Sequence, residues 1–145
     1  MLLDAITVRL GLGALVVVKT VEDAYAVEVV AQYAAEEAPC PRCGRGTRHV
    51  HQWHRQRKQD AALWAKPLSI VLLKRRFRCP PCRYVFTEAD PACGRRRRTT
   101  SRLRSTIARH AEEATVRAVS RWHGVSEGLV QRSWLEAHAQ PPTPP

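Results

Sequence analysis

Two runs rich in β-branched residues, 14–21 and 25–31, flank the polar pair Glu22 and Asp23. Short apolar runs of this kind around a polar turn predict a β-hairpin. Further along, 47–53 and 68–78 predict strands, the second from Ile70, Val71, Leu72, Leu73 and Phe77, with the basic stretch 55–58 between them and a third, shorter strand at 84–87. After Thr100 the period lengthens to that of a helix. Leu103, Ile107, Ala111 and Ala114 recur every three or four residues, while Arg102, Arg104 and Arg109 point elsewhere. Val116, Val119 and Trp122 predict a second helix, closed by Gly124, the residue best able to take the left-handed conformation at a helix end. Ser126 is a good N-cap for a third, with Val130, Trp134 and Ala137 on one face. Pro141, Pro142, Pro144 and Pro145 then end helical structure.

Charge divides the 145 residues unevenly. Lys and Arg total 24 against 13 Asp and Glu, for a formal charge of +11. Twenty of the 24 are Arg, which stay ionised at any physiological pH. Residues 1–39 carry a net −4 and residues 40–145 a net +15, so the polyanion-binding part is the C-terminal three quarters. Aromatic residues are only 6% of the chain, and Gly and Pro together make 17 residues, so no segment looks able to build a large core alone.

Cysteine supplies what the core lacks. Cys40, Pro41, Arg42, Cys43, Gly44 and Cys79, Pro80, Pro81, Cys82, Arg83 are two knuckles of identical spacing. Two intervening residues let a tight turn aim both thiolates at one ion, and two such turns close a tetrahedron with no open position. Cys40, Cys43, Cys79 and Cys82 are thus the expected ligands of a structural zinc, within a zinc ribbon whose knuckles sit at hairpin tips. Two disulfides, an iron–sulfur cluster or unbound thiols would use the same residues. The 35 residues between Cys43 and Cys79 exceed the usual insert and must themselves be ordered. Cys93 has no partner at this spacing and reads as a free or buried thiol. His49, His51 and His54 read as surface or nucleic-acid contacts rather than ligands, since no thiol or carboxylate lies near them in sequence.

Arg95, Arg96, Arg97 and Arg98 are consecutive, and their mutual repulsion predicts an extended, disordered arm that orders on phosphate. The helix, Gly-containing turn and Ser-capped helix over 115–134 follow the helix-turn-helix pattern. In that arrangement the helix opening at Ser126 enters the major groove, where Glu127, Gln131 and Arg132 can meet base edges and Arg102 and Arg104 join the arm on phosphate.

The order of these features resembles the N-terminal region of insertion-sequence transposases of the ISL-three family. The resemblance is carried by the strand pair across 16–30, by CPRCG with VHQWHRQRKQDAAL, by KPLSIVLLKRRFRCPPCRYVFTE and by AVSRWHGVS. It implies a zinc ribbon, then a helix-turn-helix that reads transposon-end DNA, ahead of an RNase-H-like catalytic domain. The chain ends where that domain would begin, so the expectation is a truncated copy without catalytic activity. The aspartates point the same way: Asp4, Asp23, Asp60 and Asp90 fall in separate strands, turns and linkers rather than in one converging set.

The expected fold class is α+β: a β-hairpin segment at 1–38, a zinc ribbon at 39–90, a basic linker at 91–100, a helix-turn-helix at 101–140 and a Pro-rich tail at 141–145. Leu10 to Val18 after Arg9 imitates a signal peptide, but Asp4, Lys19, Glu22 and Asp23 do not suit one, and no stretch approaches a membrane span. The expected partner is double-stranded DNA in the bacterial cytoplasm at the nucleoid, with a homodimer allowed and no membrane. A stand-alone transcriptional regulator or a protein-interaction adaptor is the alternative.

Overall fold

The computed structural model describes residues 14–63 and 65–139; the start of the signal-like stretch and the Pro-rich tail lie outside them. The hairpin is present as β1 (Leu15–Glu22) and β2 (Val27–Tyr33) in antiparallel register, Leu15 opposite Tyr33 and Glu22 opposite Val27. Its turn is held by Asp23, whose carboxylate accepts the N–H groups of Tyr25 and Ala26 at 2.7 and 2.8 Å. That local acceptance favours Asp at turns.

Two short strands, β3 (Ala38–Pro39) and β4 (Gly46–Thr47), bracket the first cysteine knuckle. Then β5 (Val50–Leu63) and β6 (Lys66–Arg78) form a long antiparallel hairpin, and β7 (Val85–Thr87) pairs with the end of β6. β2 runs parallel to β6, Val27 opposite Leu68 and Ala31 opposite Leu72, so the order β1-β2-β6-β5 joins the N-terminal hairpin to the ribbon hairpin in one sheet.

β5 is longer than the strand expected at 47–53, because the basic stretch continues it. Alternation explains why. Trp53, Arg55 and Arg57 share one face, while Lys58 and Asp60 are buried on the other. That inner face is apolar nearer the sheet centre, with Val27, Val29, Ala31, Tyr33, Leu68, Ile70 and Leu72 packed together with Leu15.

Three helices follow: α1 (Ser101–His110), α2 (Val116–His123) and α3 (Glu127–His138). Each opens on a hydroxyl N-cap, Thr100, Thr115 and Ser126. Gly124 closes α2 in the left-handed region at φ 62°. α1 ends earlier than its apolar repeat suggested, and Ala111 and Ala114 lie in the turn before α2 while still packing on the helical core. That core is Leu103, Ile107, Val119 and Val130, with Ala61 of β5 packed against it.

Three expected core positions are surface instead. Trp122 is 64% exposed and Trp134 39% exposed, and Ala137 is exposed as well. The inward face of α3 runs through Val130 and Ser133, three residues apart, which turns Trp134 and Ala137 outward. No helix among the described residues is long and apolar enough to cross a membrane.

Candidate metal centre and nucleic-acid surface

The two knuckles are built alike. In the first, the Gly44 N–H donates to the Cys40 carbonyl at 2.8 Å and the Cys40 N–H to the Arg45 carbonyl at 2.8 Å. In the second, the Arg83 N–H donates to the Cys79 carbonyl at 2.7 Å and the Cys79 N–H to the Tyr84 carbonyl at 2.9 Å. Both turns pass through the left-handed region at the residue after the second cysteine, Gly44 at φ 76° and Arg83 at φ 59°. Glycine suits that conformation and arginine does not. Arg83→Gly should therefore raise stability by about 0.5–1 kcal/mol, relief of backbone strain exceeding the added freedom of the unfolded chain. A thermal melt at fixed zinc concentration checks this, and a lower midpoint would contradict it.

The knuckles face each other because Thr47 ties their strands together. Its hydroxyl donates to the Arg78 carbonyl at 3.0 Å and accepts the His49 N–H at 3.1 Å. Cys40 Sγ lies 3.7 Å from Cys82 Sγ, Cys43 Sγ 3.5 Å from Cys79 Sγ, and all four sulfurs fall within 4.8 Å of one another. Zinc–sulfur bonds of about 2.3 Å in a tetrahedron place sulfurs about 3.8 Å apart, so the donor set fits the ion in both chemistry and size. All five cysteines are free thiols, so no disulfide competes for this set.

Burial pushes the Cys40 thiol up, but amide donors from Cys43 and Arg42 and the thiols of Cys82 and Cys43 outweigh it and bring it down to about 7. At Cys79 the Cys82 amide lowers the value, yet burial and the neighbouring sulfurs carry it up to about 12. Crowded sulfurs do not ionise together until a cation compensates them, which is what a bound dication supplies. Around them the apolar packing is thin: Ala38, Phe77 and Phe86 are the buried carbon side chains beside Cys40 and Cys79.

Residues 36–82 match the family model of the zinc-finger of transposase IS204/IS1001/IS1096/IS1165. No curated protein and no solved structure matches the chain. The matched span covers the first knuckle, the β5–β6 hairpin and the second knuckle up to Cys82. The chain therefore carries a transposase-type zinc ribbon, and its zinc is structural. The three helices lie outside the match.

The basic segment departs from the disordered arm expected of it. The Gln59 N–H donates to the Arg98 carbonyl at 2.9 Å, the Thr100 N–H returns to the Gln59 carbonyl at 3.0 Å, and Lys58 Nζ donates to the Arg97 carbonyl. These bonds fix the backbone against β5, so repulsion acts only on how the guanidinium groups spread. Arg95, Arg96 and Arg98 remain exposed, and Arg97 pairs with Glu136 at 3.5 Å.

Asp90 anchors the start of this segment. Its side chain, 6% exposed, lies 3.3 Å from Lys58 Nζ and 4.0 Å from Lys74 Nζ and accepts the Tyr33 hydroxyl, while its carbonyl accepts the Gly94 N–H at 2.7 Å. Cys93 is buried beside it, and burial, reinforced by the Asp90 charge, pushes the thiol up to about 12. Alternation along β5 would have placed Lys58 and Asp60 inward, but the density of basic residues there hid it.

Among the other expected contacts, Arg102 pairs with Asp60, which also accepts the Thr100 hydroxyl. Arg104 is a correction. It is buried, and its guanidinium donates to the Thr99 carbonyl at 2.5 Å and the Cys93 carbonyl at 2.8 Å, so it braces the segment from within rather than meeting phosphate. The Ser126 hydroxyl is engaged as a cap, accepting the Leu129 N–H at 3.1 Å. Glu127, Gln131 and Arg132 are exposed on α3, and His49 and His51 are exposed near the ribbon.

Asp23, Asp60 and Asp90 hold a turn, a helix start and a buried lysine pair, each in its own place. Among the described residues, the four cysteines are the group of ligating side chains that converges.

Proposed function

We propose that the chain is a DNA-binding module of transposase type, recognising transposon-end duplex through α2 and α3 as a helix-turn-helix, with the ribbon and the arginine segment on phosphate. The observation that carries this reading is the join between α2 and α3. Gly124 turns the chain in the left-handed conformation, Ser126 caps α3 at once, and Val119 and Val130 seat both helices on α1. This leaves Glu127, Gln131 and Arg132 exposed over the first turns of α3, the part of a recognition helix that meets base edges. The exposed Arg95, Arg96 and Arg98 supply sequence-independent affinity.

Labelled-duplex binding over a salt series tests it. Steep weakening with salt is expected, together with preference for the terminal repeats of an associated element. Gln131→Ala should reduce that preference about 10-fold and leave the salt slope unchanged. Equal binding of every duplex, before and after the substitution, would remove base reading and leave a polyanion binder.

One observation favours a second reading, a protein-interaction adaptor: Leu135 is 61% exposed beside Trp134 on α3. Under that reading Leu135→Glu abolishes partner capture after nuclease treatment and leaves duplex affinity intact.

A further inference from the structure

On the sheet face opposite the inner core an exposed indole, Trp53, stands among arginines, and the duplex reading, which puts the ribbon and the arginine segment on phosphate, gives that indole no role. Trp53, Arg55 and Arg57 alternate on β5, opposite Arg75, Leu73 and Val71 of β6, so their side chains leave one face in steps of about 6.6 Å. The two arginines are exposed, and the indole is 51% exposed where packing would ordinarily cover it.

Each of these groups except Arg55 is held. Arg75 lies 5.9 Å from the Trp53 ring and is itself fixed by two bonds to Glu88 Oε2, at 3.1 and 2.7 Å. Arg57 is oriented by Glu28 at 3.0 Å and by the Ser69 hydroxyl at 3.2 Å, with most of its side chain still in solvent. Arg57, Ser69 and Arg98 then line an open cleft of about 540 Å³, so the cationic track runs from β5 onto the arginine segment.

An exposed, oriented indole beside a row of guanidinium groups is poor at gripping a closed duplex, whose bases are already stacked. It suits an unpaired strand, which offers a free base face to the ring and its phosphates to the arginines. We infer that this face binds single-stranded nucleic acid, with Trp53 as stacking platform and Arg55, Arg57 and Arg98 as the backbone track. The inference adds a second ligand to the proposed DNA-binding function, shares Arg98 with the duplex reading, and does not require α3 to enter a groove.

The test uses the full zinc-loaded chain and two probes, an oligothymidylate of about 12 nucleotides and a duplex of equal length. Trp53→Leu should weaken oligothymidylate binding about 10-fold, Trp53→Phe should retain most of it, and duplex affinity and zinc content should stay unchanged. Arg57→Gln should flatten the salt dependence of oligothymidylate binding by about 0.7 in logarithmic slope. Oligothymidylate affinity indifferent to Trp53, or duplex affinity falling in parallel with it, would overturn the inference and leave the duplex reading standing. Trp53-dependent oligothymidylate binding without any duplex binding would do the reverse.

Discussion

Cys79→Ser is expected to release zinc and unfold the ribbon end of the sheet. Cys79 is fully buried at the end of β6, with Cys43 Sγ at 3.5 Å. Serine offers a hard, neutral hydroxyl where the ion requires a soft thiolate. Coordination in small zinc domains contributes on the order of 10 kcal/mol of folding free energy. The few apolar side chains around the knuckles cannot replace it, since fully burying one contributes about 1.5–3 kcal/mol. Circular dichroism should show loss of strand signal, and thiol titration of the variant should find Cys40, Cys43 and Cys82 reactive without denaturant. In the parent chain those thiols are protected by metal and Cys93 by burial. A Cys79→Ser chain that keeps its thiols protected and its melting midpoint would count against the assignment.

The second large effect is expected at Asp90. Lys58 and Lys74 reach the protein interior on the inner face of the sheet, and Asp90 is the carboxylate close to both. Asp90→Asn leaves two buried ammonium groups beside each other without that counter-charge, which costs about 3–5 kcal/mol for a broken buried pair. It also loosens the tie between β5 and residues 90–98, so duplex binding should fall as the arginine segment detaches.

The deficit should depend on pH. Burial lowers the pKa of Lys74 below its usual 10.5, and Asp90 and Glu88 oppose that shift. In the folded chain Lys74 then binds fewer protons than in the unfolded chain between the lowered value and 10.5, so stability rises with pH across that window. Removing Asp90 lowers the folded value further and widens the window. The gap between parent and variant should accordingly narrow as pH is raised toward 10.5. Chemical denaturation at several pH values measures it, and a gap independent of pH would show that the lysines do not carry the cost.

How much of this was visible in the sequence differs from element to element. The hairpin turn at Asp23, the α2 stop at Gly124 and the α3 start at Ser126 were all legible, because each depends on local backbone chemistry written in one or two residues. The sulfur cluster was legible for the same reason, since knuckle spacing dictates where thiols aim. Features that depend on distant partners were not. Nothing near Arg104 announces that the Cys93 and Thr99 carbonyls enclose it, and nothing near 95–98 announces that Lys58 and Gln59 hold that backbone. The parallel pairing of β2 with β6 joins segments about 40 residues apart and has no local signature. On α3, Ser133 took the inward position and displaced Trp134 to the surface, a rotation that apolar periodicity alone could not settle.

Metal content and folding measured on the same sample probe the four-sulfur centre most directly. Native mass spectrometry of the purified chain should find one zinc per polypeptide, and stepwise chelation should remove zinc and folded signal together. A chain that stays folded after losing all its metal, with an unaltered melting curve, would show that packing alone holds the ribbon and that the sulfurs meet for another reason.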